Sequence, residues 1–260
     1  MKSHTVSRLL LALTATFSLA APIAATASDI VGGWYGLDGL GSHVFTFLSD
    51  GEYYLAASDA PTDMEHGTYT WDSATGTFTH SIISDTNTDG GLSGTGNLNT
   101  QVNGNTWTGT SPEGTFTFTR VTDPSNPIVG SWATGTPGDS LAITFLSNGT
   151  YFLADDSAPG PSGQKGVESG TYSWDAATGA FSSTTLVNTD GKWGLSNLTC
   201  NGVHISGNNV TFSCADISAP TAFSSVTFTN TAAVPEPGVY AMMLAGLGMV
   251  GFVARRRKAS

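Results

Sequence analysis

"TFLSDGEYYLA" at 46–56 returns as "TFLSNGTYFLA" at 144–154. Phe45-Thr46-Phe47 and Phe116-Thr117-Phe118 alternate apolar and polar side chains, the period of a half-buried strand. Asp50-Gly51 and Asn148-Gly149 readily take positive φ, so Ser49–Glu52 and Ser147–Thr150 read as hairpin turns. Working outward, "IVGGW" at 30–34 returns as "IVGSW" at 128–132, "GTYTWDSATGTF" at 67–78 as "GTYSWDAATGAF" at 170–181, and "GLS" at 91–93 as the same triplet at 194–196. The offset is 98 residues at first and 103 after an insertion in the Pro/Gly/Ser-rich stretch around 159–166. A period near one hundred marks a duplicated domain rather than a solenoid unit.

Thr, Tyr, Phe, Trp and Val are frequent, and turn signals recur about every ten residues. No amphipathic helix is visible between the chain ends. The expected fold is all-β: two tandem antiparallel units of about eight strands, each a small barrel or sandwich, since closure hides the edges of a meander. The expected domains are copy one at 28–122, the linker "DPSNP" at 123–127, and copy two at 128–232.

The ends read as export signals. Residues 1–27 carry Lys2 and Arg8, an apolar stretch and the cleavage site Ala25-Thr26-Ala27, the pattern of a secretory signal peptide. At the other end, the uncharged run 238–254 is about 25 Å long as a helix, close to the thickness of a hydrocarbon core. Arg255, Arg256, Arg257 and Lys258 follow it, which keeps the tail cytoplasmic and the bulk of the chain on the other side.

Val234-Pro235-Glu236-Pro237, the helix rich in small residues and the terminal Arg cluster, together spanning 233–260, resemble the PEP-CTERM sorting signal. That resemblance implies a Gram-negative, exopolysaccharide-making host. It also implies transient anchoring in the inner membrane and cleavage near Pro235–Pro237 by an exosortase. The final location it implies is the cell surface or the extracellular matrix, with exopolysaccharide as a partner. The repeats also resemble lipocalin-like (calycin) barrels. Gly32-x-Trp34 and Gly130-x-Trp132 match the first-strand motif, and Arg120 sits where that family stacks an Arg on the Trp. Copy two has Asn230 at that place and departs from the pattern.

All 20 acidic residues lie within 29–236, where Arg120, Lys165 and Lys192 are the only Lys or Arg. That stretch therefore carries a net charge of −17 against −11 for the whole chain, which argues against nucleic acid as a partner. Cys200 and Cys214 both lie in the exported part, and an oxidising compartment favours a disulfide between them. None is left for catalysis.

The sequence offers four further candidates. Asp85, Asn87 and Asp89 before Gly90 match the first half of an EF-hand loop, a weak Ca²⁺ site in copy one; the twelfth position is Gly96 where a Glu belongs. "GDSL" at 138–141 with Asp63-x-x-His66 has the wrong order and context for a Ser–His–Asp hydrolase. The adjacent acids Asp155 and Asp156 point to opposite faces of a strand. Trp107 and Trp193 do not recur between copies, so they are weak candidates for stacking on glycan rings, with core packing as the leading reading of both. The expected function is a non-enzymatic structural or interaction role at the envelope. The first alternative is a barrel that binds a small apolar ligand or a glycan, decided by whether the interior is filled or holds a cavity of several hundred Å³; the second is a secreted hydrolase, decided by whether two acids converge in one cleft.

Overall fold

The computed structural model describes residues 30–38, 41–58, 62–87, 91–111, 114–136, 139–160 and 163–231. The signal peptide 1–27, the motif Val234–Pro237, the run 238–254, the cluster 255–258 and Asp89 lie outside the described residues.

Among the described residues sixteen strands form two sheets. In copy one they are β1 (Gly32–Asp38), β2 (Gly41–Phe47), β3 (Glu52–Ala57), β4 (Asp63–Trp71), β5 (Thr77–Asp85), β6 (Leu98–Asn103), β7 (Thr106–Ser111) and β8 (Gly114–Arg120). Copy two repeats them as β9 (Gly130–Thr136), β10 (Asp139–Phe145), β11 (Thr150–Asp155), β12 (Gly166–Trp174), β13 (Phe181–Asn188), β14 (Leu198–Ser206), β15 (Asn209–Asp216) and β16 (Ser224–Asn230). Copy one is a closed antiparallel barrel. Copy two is the same meander with a seam between β13 and β14 that carries no ladder. The seam is bridged by Val203 N–H donating to the Gly179 carbonyl at 2.8 Å and by the Trp174 indole N–H donating to the Val203 carbonyl at 2.8 Å.

Local chemistry sets the hairpins. Gly51 and Gly149 hold φ of 92° and 83°, and the Asp50 and Asn148 side chains each accept the backbone N–H two residues on. The first and last strands of each copy meet at Trp34–Arg120 and Trp132–Asn230. The Arg120 guanidinium lies 4.1 Å from the Trp34 ring centroid, and its Nη1 donates to the Val31 carbonyl at 2.7 Å. Both first-strand indoles are buried, and each donates to the carbonyl four residues before it, Ile30 or Ile128. The Cys200–Cys214 disulfide is formed across β14 and β15, with Cα atoms 3.9 Å apart.

The copies pack through the outer faces of β2–β4 and β10–β12. Val44, Tyr54, Ala56 and Met64 of copy one form one apolar cluster with Ala142, Phe152, Ala154 and Val167 of copy two. Thr46 meets Thr144, its own repeat counterpart, with hydroxyls 3.3 Å apart. A residue meeting its own equivalent is the signature of an isologous, two-fold contact. It also explains the single difference between "IVGGW" and "IVGSW": a Cβ at Gly33 would lie 1.9 Å from the Ser131 hydroxyl, the equivalent residue of the other copy.

One buried polar cluster crosses this contact. The Asp156 carboxylate accepts from His66 Nδ1 at 2.7 Å and from Lys165 Nζ at 2.6 Å, and Lys165 also donates to Ser84. Burial pushes the Asp156 carboxyl up, but the hydrogen bonds from His66 and Lys165 outweigh it and hold it at about 2.

Candidate functional site

The two interiors differ. In copy one Trp107 is fully buried, and its ring touches those of Trp34, Phe45, Phe47, Phe78, Phe116 and Phe118 at centroid distances of 5.1–6.3 Å. The ring of Phe116 lies over Gly109, where a Cβ would come within 2.2 Å of it. The reading of Trp107 as a glycan-stacking surface residue is therefore corrected: it is the centre of the copy-one core. Its failure to recur reflects a different filling of copy two, not a place on the surface.

Strand register gives the equivalents. Trp107 sits opposite Phe118, and Val210 sits opposite Phe228; Gly109 sits opposite Phe116, and Phe212 opposite Val226. By the same repeat Ile143 stands for Phe45. Copy two thus loses the rings of Trp107, Phe45 and Phe116 and regains one, Phe212. The space that remains is a cavity of about 600 Å³, lined by Leu141, Ile143, Leu153, Leu195, Leu198, Phe212, Val226 and Phe228 and open to solvent. Val226 faces this interior, yet is 41% exposed, because the cavity admits solvent to it.

A clasp present in both copies closes one side. Glu65 accepts from the Tyr53 hydroxyl at 2.5 Å and from the backbone N–H groups of Leu92 and Ser93. Glu168 does the same for Tyr151, Leu195 and Ser196. This is what the repeated "GLS" triplet is for: its Leu plugs the core while its backbone is held by a buried carboxylate. Gly194 holds φ of +70°, and a Cβ there would lie 2.7 Å from Glu168 Oε2. Burial pushes the Glu65 carboxyl up to about 7, opposed by the Tyr53, Leu92 and Ser93 hydrogen bonds, and raises that of Glu168 as well. The signal for both residues in the sequence is recurrence alone: Tyr53/Tyr151 and Glu65/Glu168 stand at matching positions.

The rim of the cavity is polar. Asp139, Asp155, Ser157, Lys192 and Trp193 lie on it. Asp155 follows Leu153 on the inward face of β11, while Asp156 turns outward to the interface, as strand alternation requires. Asp155 Oδ1 accepts the Ser157 N–H at 2.7 Å, whereas its Oδ2 is buried with no hydrogen-bond partner. Asp190 is fully buried nearby, with neither carboxylate oxygen partnered. Burial, then the charges of Glu168 and Asp155, push it up to about 8. Trp193 is half-buried and backed by Gly163, where a Cβ would lie 2.4 Å from the indole.

The remaining candidates do not converge. Asp85 accepts the Asn87 N–H at 2.7 Å and so caps its own turn. Among the described residues no three His, Cys, Asp or Glu side chains are grouped to hold a metal. Ser140 of the "GDSL" string accepts from the Tyr54 hydroxyl at 2.8 Å, while His66 is occupied by Asp156. His80 donates to the Leu92 carbonyl at 2.8 Å, and His204 packs over the Gly179 turn.

Residues 233–258 match the PEP-CTERM protein-sorting motif. No curated protein and no solved structure matches the chain. The sorting motif implies recognition by an exosortase and an exported protein that is transiently anchored in the membrane.

Proposed function

We propose that this chain, sorted through its PEP-CTERM motif, carries a small apolar ligand in its second copy, with the first copy as a filled partner that braces it. The observation that supports the reading is the contrast between the interiors: Trp107 and its ring contacts in one, a cavity of about 600 Å³ in the other. That volume and an apolar wall with a few polar groups at the rim suit a small-molecule site. The role is binding rather than catalysis. The mature protein lacks residues 1–27 and the segment after Gly238, and it resides at the cell surface or in the exopolysaccharide matrix.

The test is a titration of the mature protein with Nile red, a neutral dye that brightens in apolar surroundings. The expected result is saturable binding by the wild type, lost in Val210→Trp, which places in copy two the ring that fills copy one. Equal binding by both proteins, or none by the wild type, would overturn the proposal.

A further inference from the structure

We infer that the ligand of the copy-two cavity is amphipathic and carries a primary amine, whose ammonium group is received by Asp155 at the rim. The inference rests on the cavity being a ligand site.

The wall selects an apolar body: Leu141, Leu153, Phe212 and Phe228 face the space. The rim selects the head. Asp155 is 1% exposed and lines the cavity, and its Oδ2 has no partner. A buried acceptor left unpaired costs free energy, and a donor supplied by a ligand recovers it. Asp139 adds a second carboxylate at the same mouth. Among the described residues the one cation of the rim is Lys192, an exposed side chain set against the two carboxylates Asp139 and Asp155. A ligand carboxylate entering there would face Asp139 and Asp155. An ammonium meets the opposite field, and Trp193 beside it offers a ring of the kind that attracts cations. A quaternary head would leave Oδ2 unpaired, because it has no N–H to donate; a primary amine has three.

Equal-chain competitors decide the matter: octylamine, octanol and octanoate displacing Nile red from the mature protein. The expected order is octylamine first, with a margin over octanol of about ten- to a hundred-fold, the range for one hydrogen bond to a charged group. Asp155→Asn should erase that margin while still binding the dye, which also reports that the variant is folded. If octanol or octanoate displaces as well as octylamine while the dye binds, the amine assignment is overturned and the cavity reading stands. If the dye does not bind the wild type, the cavity reading itself fails and the assignment fails with it. The wild-type ranking decides even if Asp155→Asn does not fold.

Discussion

Arg120 covers Trp34 with its guanidinium 4.1 Å from the ring centroid, across the strand pair that closes copy one. At the matching pair in copy two, Asn230 faces Trp132. Arg120→Ala should therefore destabilise the protein by about 2–4 kcal/mol, the sum of a cation–π contact of about 0.5–1 and a charged hydrogen bond to Val31 of about 1.5–3. Trp34→Ala should cost more, about 3–5 kcal/mol, as large buried aromatics do. Urea denaturation of the two variants measures both.

The interface predicts a second effect. Asp156→Ala strips His66 and Lys165 of a shared buried acceptor. Removal of one partner from a buried charged cluster costs about 3–5 kcal/mol. His66→Ala with Asp156→Ala should cost less than the two single changes together, because both act on one hydrogen bond. Additive losses would mean that the two side chains are not coupled.

Buried carboxyls give a pH profile. The folded values of Glu65 and Asp63 are raised to about 7 from ordinary values of 4.5 and 3.8, and that of Asp190 to about 8 from 3.8, with burial the leading cause in each. The folded state thus binds more protons than the unfolded one between about pH 4 and 8. Their contribution is fully present below the unfolded values and is lost as pH rises through the folded ones. Asp156 acts oppositely: its contribution is present above 3.8 and is lost as pH falls through about 2. Melting temperature should therefore peak near pH 4 and decline toward pH 8. Glu65→Gln should flatten the decline. A melting temperature that climbs steadily from pH 5 to 8 would contradict the assignment.

The disulfide braces copy two alone. Replacing Cys200 and Cys214 together by Ser should cost roughly 3 kcal/mol, the value for a loop of this length. Denaturation monitored by Trp fluorescence checks it.

Much of this architecture was legible in the chain. The repeat and the Asp-Gly and Asn-Gly hairpins follow from local patterning, and the Trp34–Arg120 stack from the resemblance to lipocalin-like barrels. The disulfide followed from cysteine count and compartment. What was not legible depends on several strands at once. Because Trp107 does not recur, the sequence offers it both as a core ring and as a glycan-facing one; only the barrel shows that Val210, Ile143 and Phe212 share out the same space differently. Glu65 and Glu168 recur plainly, but an acid among strand residues reads as solvated until Tyr53, Leu92 and Ser93 are seen to enclose it. The interface was hidden because Ala56, Phe152 and Ala154 look like ordinary strand residues, and nothing local says that their face is covered by the other copy.

The most direct measurement is a crystal of the mature protein held under xenon, which settles against apolar cavity walls. Xenon density among Leu141, Leu153 and Phe228, with none around Trp107, is the predicted result. An empty second copy whose side chains have closed the space, or xenon in the first copy, would contradict it.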